Sequence, residues 1–318
     1  MKILITGAAG FIGFNFCNFL LKKSKFQVIG VDNLNNYYDI NLKKKRLNIL
    51  KKNKNFKFYK IDLIDSIKIR KIFINNNFSF VFNFAAQAGV RYSIIYPRKY
   101  IDSNIQGFFN IIENCNEFKV KRLFYASSSS VYGENNNFPL SENEKIFPKN
   151  IYGLTKKINE EISDIYNKFY KLKTTGLRFF TVYGEWGRPD MMMVKFIDCF
   201  FKKKTFNLHN FGKHSRDFTY IDDVVQIMFK LLINNHKLKD NEVLNICSNK
   251  PISLKEIINF LMINKITPKI KKVPLQKADI IKTHGNNSRL LKYIKHSRFS
   301  DWKVSIIKVI EWYKNEMI

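Results

Sequence analysis

The sequence predicts an α/β protein, a doubly wound parallel sheet with helices on both faces, followed by a smaller C-terminal α/β part. Three observations carry this. Short runs rich in β-branched and aromatic residues alternate with stretches of helical apolar spacing through the first 180 residues. A glycine-rich turn, Gly7-Ala8-Ala9-Gly10-Phe11-Ile12-Gly13, stands between the first such run and the first helical stretch. A carboxylate, Asp32, closes the second run.

In chain order, strands are predicted at Lys2 to Thr6, Gln27 to Val31, Phe56 to Ile61, Phe80 to Ala85, Arg122 to Ser127 and Thr174 to Phe179. The stretches from Phe11, Ser66, Ile101 and Ile151 repeat apolar residues at i, i+3 and i+4 and read as helices. After Phe180 the rhythm breaks into loops rich in Gly, Pro and Asp, then a helix from about Ile221, a short strand around Val243 to Ile246 and a helix from Leu254. The expected division is residues 1–180 as a Rossmann-type dinucleotide-binding domain and 181–318 as a mainly substrate-binding region, whose chain returns to the first domain around 219–247.

A chain of 318 residues has room for a substantial core. Its 55 Lys+Arg against 26 Asp+Glu give a formal charge of +29, which by itself would suggest an anionic partner such as nucleic acid. The excess is scattered in short runs (Lys43 to Arg46, Lys51 to Lys54, Lys202 to Lys204) among many Asn, Ile and Phe, and no stacking motif or recognition helix accompanies it. A solvated Lys-rich surface is the simpler reading, and no nucleic-acid partner is expected. Cys17, Cys115, Cys199 and Cys247 lie far apart without a C-x-x-C, and His209, His214, His236, His284 and His296 show no metal-ligand spacing. Neither a disulfide framework nor a metal is expected, and a reducing cytoplasm fits. Ile3 to Leu21 is apolar enough to imitate an export signal, but its three evenly spaced glycines and polar Asn15 and Asn18 argue against one. No membrane association is expected.

The glycine turn permits a sharp bend and a close approach of backbone to a pyrophosphate at a helix N-terminus. Its spacing, G-x-x-G-x-x-G, is one residue longer than the usual dinucleotide fingerprint, and alone it fits mere packing equally well. Asp32 decides, because it follows Gly13 by nineteen residues, where a carboxylate can hold a ribose 2′-hydroxyl and repel a 2′-phosphate. NAD is the predicted cofactor.

Tyr152 and Lys156, four residues apart, share one face of a helix. A phenol of pKa about 10 is a poor base at neutral pH, and a fixed ammonium beside it favours the phenolate. Such a pair can take a proton from a sugar hydroxyl. In a chain with 15 Tyr the spacing alone is a weak signal.

Taken together, the glycine turn, Asp32, Asp62-Leu63, Ala85-Ala86-Gln87, the run Ser127 to Ser130 and the Tyr152/Lys156 pair resemble the extended short-chain dehydrogenase/reductase superfamily over nearly the whole chain. The resemblance implies that Gly7, Gly10, Phe11, Ile12 and Gly13 hold the pyrophosphate, with Asp32, Asn33, Asp62 and Leu63 at the adenosine end. It places Ala85, Ala86 and Gln87 along the cofactor groove, supported by Asn104, with Tyr152 and Lys156 at its reactive end. It also makes Ser128 the residue that orients a sugar hydroxyl while Tyr152 removes its proton. Similar dehydratases carry an Asp-Glu pair in the serine run, and similar decarboxylases a Glu; this chain has neither. The implied reaction is oxidation at C4 of a UDP-sugar, rotation of the 4-keto sugar and return of the hydride to its other face.

Within the superfamily, the segments at 32–39, 87–93, 176–184 and 186–191 resemble UDP-glucuronate 4-epimerases, implying conversion of UDP-glucuronate to UDP-galacturonate; UDP-glucose or UDP-N-acetylglucosamine is the alternative. By the same likeness Arg91, Phe179 and Thr181 line the substrate site, Arg188 clamps the sugar carboxylate in a bidentate pair, and Arg216 reaches the diphosphate. Gln276 and Asp279 belong to a segment, Gln276-Lys277-Ala278-Asp279, that departs from the usual Gln-Pro-Gly-Asp. Similar proteins are homodimers joined through the helices after Pro97 and from Ile151, so a homodimer is expected.

Overall fold

A computed structural model describes residues 1–23, 25–276, 279–295 and 298–318. His296, Lys277 and Ala278, named above, lie outside the described residues.

The first half follows the expected alternation: β1 (Lys2–Thr6), α1 (Phe11–Leu21), β2 (Gln27–Asp32), α2 (Ile40–Lys51), β3 (Phe56–Lys60), α3 (Ser66–Ile74) and β4 (Phe80–Asn83). Two short helices, α4 (Val90–Ile95) and α5 (Pro97–Tyr100), lead through a π-helical turn at Ile101–Gln106 into α6 (Gly107–Glu117). Then come β5 (Arg122–Ser128), α7 (Ile151–Tyr170) and β6 (Thr174–Phe179). The C-terminal half contributes β7 (Thr181–Tyr183), α8 (Met192–Phe201), β8 (Phe206–His209), β9 (Ser215–Tyr220), α9 (Ile221–Ile233) and β10 (Asn241–Ile246). It ends with β11 (Pro251–Ser253), α10 (Leu254–Ile263), β12 (Ile270–Val273), α11 (Ser288–Leu291) and α12 (Trp302–Met317).

Seven strands form one parallel sheet in the order β10-β6-β5-β4-β1-β2-β3. The chain moves outward from β1 to β3, returns beside β1 as β4 and runs to the other edge, so the order reverses between β1 and β4. Ligands bind outside the carboxyl ends of strands at such a switch point. Strands buried on both faces read as continuous apolar runs, as in Ile3-Leu4-Ile5 and Phe80-Val81-Phe82, all almost fully buried. The last strand, β10, comes from the C-terminal half and pairs with β6 from Asn241↔Thr174 to Ile246↔Phe179. Beyond β6 the chain builds two small sheets, β11-β9-β7 and β12-β8, at the carboxyl edge of the large one. One apolar cluster runs from Ile3 and Phe14 to Ile227, Leu261 and Tyr313, so both halves of the chain share a core.

Candidate active site

The glycine turn is as tight as a turn can be. Gly7 has φ +68°, a conformation costly to other residues, and a Cβ on Gly13 would lie 2.1 Å from the Gly7 carbonyl oxygen. This bend delivers the N-terminus of α1, which has neither a capping side chain nor an acid in its first turn, to a cavity of about 360 Å³. Open amides and the positive end of the helix dipole fit a pyrophosphate there. Gly7, Gly10, Phe11, Ile12 and Gly13 all line the cavity.

Asp32 lies at the C-terminal end of β2. Its Oδ2 accepts from Ala9 N–H at 3.1 Å and its Oδ1 from Leu34 N–H at 2.8 Å, which fixes the carboxylate beside the turn. Burial pushes its pKa up, while Lys43, those two amides and Arg46 oppose the rise. Asn33 donates to Asp62 at 2.8 Å, and both line the same cavity with Leu63. Ala85, Ala86 and Gln87 line its far wall, where the buried Gln87 Nε2 has no hydrogen-bond partner in the protein. An unpaired amide and a fixed carboxylate lining one groove suit the polar groups of a nicotinamide dinucleotide.

Asn104 does not line the cavity but holds its wall. Placed by the π-helical turn, it accepts from Gln87 N–H at 2.7 Å and donates to Gln87 O at 3.1 Å and to Thr155 Oγ1 at 3.0 Å. Thr155 donates in turn to Tyr152 O at 2.8 Å, so the Asn104 side chain ties the loop after β4 to the first turns of α7. That helix starts where Asn150 Oδ1 accepts from Gly153 N–H at 2.8 Å, which puts Tyr152 in its first turn at the mouth of the cavity.

The reactive end brings together Ser128, Tyr152, Lys156, Phe179, Thr181 and Arg188, all lining the same cavity. Ser128, the last residue of β5, accepts from Ser130 N–H at 3.1 Å. Lys156 is only 3 % exposed; its Nζ donates to Ala126 O at 2.8 Å and lies 5.9 Å from the centre of the Tyr152 ring. Burial lowers Lys156 to about 8, against the pull of Glu160. Tyr152 differs from the expectation that a neighbouring ammonium makes it acidic. Burial raises its pKa, and the opposing influences are its hydrogen bond with Ser128 and the charge of Arg188, because the Lys156 ammonium is directed to a main-chain carbonyl.

Arg188 also departs from expectation. Its Nε and one terminal nitrogen bind the two oxygens of Asp190 at 3.0 Å each, so the bidentate partner is internal and one terminal nitrogen is left for a ligand. Tyr37 donates to the same carboxylate at 3.0 Å. Nothing in the sequence pairs Arg188 with Asp190 and Tyr37, since the contact depends on a loop turning through Trp186 at φ +61°.

A second cavity of about 560 Å³ opens from the first, the two sharing Tyr37, Gly89, Val90, Thr181, Arg188 and Met191. Arg91, Arg216 and Asp279 line it together with His209, His214 and Lys195. Arg91 forms a bidentate pair with Asp279, at 3.2 and 2.8 Å. Arg216 donates to the carbonyls of Ser215, Ile280 and Ile281, and burial lowers it to about 10. Gln276 is exposed and lines neither cavity, whereas Asp279 lines the second. Among the described residues no group of His, Cys, Asp or Glu is arranged to hold a metal, and no helix is long and apolar enough to cross a membrane.

Fold and site together define a nicotinamide-dinucleotide enzyme whose cofactor groove ends at a Ser/Tyr/Lys set. The chain belongs to the NAD dependent epimerase/dehydratase family, whose model matches residues 3–247. It is an NAD-dependent epimerase, an isomerase. It is 39 % identical to the UDP-glucuronate 4-epimerase of Thermodesulfobacterium geofontis, over 99 % of this chain and 96 % of that one. The crystal structure of UDP-glucuronic acid 4-epimerase from Bacillus cereus, in complex with UDP-glucuronic acid and NAD, matches with a TM-score of 0.91 at 29 % identity, covering 99 % of each chain. UDP-glucose 4-epimerase from Thermotoga maritima, with UDP-glucose, matches with a TM-score of 0.89 at 26 % identity over the whole of both chains.

Proposed function

We propose that the protein interconverts UDP-glucuronate and UDP-galacturonate by epimerisation at C4. The observation that carries this is the make-up of the first cavity. Its only carboxylates among the described residues, Asp32 and Asp62, stand at the adenosine end, while the reactive end holds Ser127 to Ser130, Tyr152, Lys156, Thr181 and Arg188. Elimination of water would need a further acid and base there. An arginine beside hydroxyls suits a sugar that carries its own negative charge.

NAD, when bound, supplies the acceptor and later the donor of one hydride. Ser128 orients the C4 hydroxyl, and Tyr152 takes its proton as the C4 hydrogen leaves with its electron pair. Lys156, charged below about pH 8, holds the cofactor ribose, while the Ser128 hydrogen bond and the charge of Arg188 favour the phenolate. The 4-keto sugar then turns over within the site, and Tyr152 returns the proton as the hydride comes back to the other face. Arg188 holds the C6 carboxylate through the nitrogen that Asp190 leaves free, keeping the group in place while a neighbouring ketone would favour its loss.

The test compares UDP-glucuronate with UDP-glucose, product by product, in the natural protein and in Arg188→Ala. A charge-assisted contact is worth about 1.5–3 kcal/mol, so the variant is expected to lose about ten-fold to a hundred-fold on UDP-glucuronate and little on UDP-glucose. Equal losses on both sugars, or a natural preference for the neutral one, would move the assignment to a UDP-glucose or UDP-N-acetylglucosamine 4-epimerase.

A further inference from the structure

His214 is used by nothing described so far. It stands on the approach to β9, two residues before Arg216, and its carbonyl accepts from Leu254 N–H at 2.8 Å, which fixes its main chain. The side chain is 8 % exposed, lines the second cavity, and its Nε2 has no hydrogen-bond partner. The nearest candidate, Asp279 Oδ2, is 3.9 Å away and already engaged by Arg91. Leaving a buried imidazole nitrogen unpaired costs free energy, a cost that a ligand in the cavity would remove.

The charges around the ring say which ligand. Arg216 faces it from β9, Arg91 from α4, His209 from the end of β8 and Asp279 from the segment after residue 278. Lys195, on α8, lines the same cavity. The cavity lining holds three guanidinium groups, an ammonium and two imidazoles against two carboxylates, Asp190 and Asp279, each already paired with an arginine, which makes a site short of negative charge. A diphosphate diester supplies two such charges and several acceptor oxygens.

Building on the reading of this enzyme as a UDP-sugar epimerase, we propose that His214 donates a hydrogen bond from Nε2 to the diphosphate of the nucleotide sugar and takes up a proton from solvent as that ligand binds. In the free protein, burial holds His214 below its usual range, as do Arg216, Arg91 and His209, with Asp279 opposing them. The ring is therefore neutral at pH 7. The incoming dianion reverses that balance and raises the bound-state pKa. Binding then tightens as pH falls: the gain is absent above the bound-state pKa and complete below the free-state one.

Calorimetry of the full-length protein with UDP-glucose tests this. Its diphosphate is a diester that does not titrate near neutrality, unlike the terminal phosphate of UDP, with a pKa of about 6. Each unit separating the bound and free pKa values is ten-fold in affinity, so the dissociation constant should fall by about three-fold to ten-fold between about pH 8 and pH 5.5. Titrations near pH 7 in buffers of different ionisation enthalpy should report uptake of up to about one proton. His214→Gln keeps an N–H donor but cannot titrate, so its binding should be nearly independent of pH, whereas His209→Gln should keep the linkage. No proton uptake by the natural protein, or the natural pH profile in His214→Gln, would overturn the assignment. UDP-glucose and UDP-glucuronate share the diphosphate. Binding of both without proton uptake therefore removes His214 alone, and binding of neither removes the UDP-sugar reading with it.

Discussion

At the scale of single residues, the chemistry rests on Tyr152, with Ser128 and Arg188 favouring its phenolate and Lys156 one turn further along the helix. Burial raises the phenol and only the Ser128 hydrogen bond and Arg188 oppose it, so Tyr152 depends on its partners to act as a base. Tyr152→Phe keeps the ring in its place and removes the proton acceptor. Turnover should fall about 10²- to 10⁴-fold while NAD and UDP-sugar still bind, checked by steady-state kinetics beside equilibrium binding. Lys156 gives a pH dependence with a defined sign: lowered by burial to about 8, it is charged below that value and neutral above it. The pH profile of kcat/KM should therefore lose activity as pH rises through about 8, and a flat profile from pH 7 to 10 would remove the ammonium from the mechanism. The spacing suggested Tyr152 and Lys156, only the resemblance suggested Ser128, and the structure brings the three to one cavity. The engagement of Arg188 by Asp190 was not legible in the sequence, since a contact between i and i+2 needs a loop conformation that no periodicity reports. Gln276 lies outside any helix or strand, where again no periodicity reports which way a side chain faces.

At the scale of elements, a buried ion pair lies behind the site. Arg178 on β6 binds Glu160 on α7 through two hydrogen bonds, at 2.9 and 2.8 Å, and Ser127 on β5 donates to the same carboxylate. Glu160 follows Lys156 by one turn, so Arg178 fixes the catalytic helix to β6, Ser127 fixes it to β5, which carries Ser128, and the carboxylate supports the lysine's charge. Glu160→Gln strands a buried guanidinium and should cost about 3–5 kcal/mol in denaturant unfolding. The variant should also move the alkaline limb of activity to lower pH, since Glu160 raises Lys156. The central strands and the helices beginning at Phe11, Ser66 and Ile151 were legible because one period dominates each. Helix α2 was not, because its buried face is Leu42, Lys43, Arg46, Leu47 and Leu50, and two cations interrupt the apolar stripe. Arg46 is fully buried, donating to Ala9 O and Tyr38 Oη at 2.8 and 2.7 Å, so a residue that reads as surface charge braces the glycine turn. The π-helical turn that aims Asn104 left no mark on the pattern either.

At the scale of the whole molecule, apolar side chains remain exposed on adjoining helices: Ile94 and Ile95 on α4, Phe109 on α6, and Leu154, Ile165 and Phe169 on α7. Single exposed apolar residues are ordinary, whereas a set on packed neighbours marks an interface. We propose that a second copy of the chain covers this face, as the resemblance implies. Light scattering at micromolar concentration should give a dimer that Phe109→Lys weakens; a monomer from the natural protein would count against it. The central claim, however, is that one hydride leaves C4 and returns to the same carbon. Its most direct measurement follows UDP-glucuronate deuterated at C4 by proton NMR and mass spectrometry, with absorbance read for reduced cofactor. UDP-galacturonate should keep its deuterium at C4, without build-up of NADH beyond the enzyme present. Loss of the label to solvent, stoichiometric NADH, or no epimerised product from any UDP-sugar would contradict it.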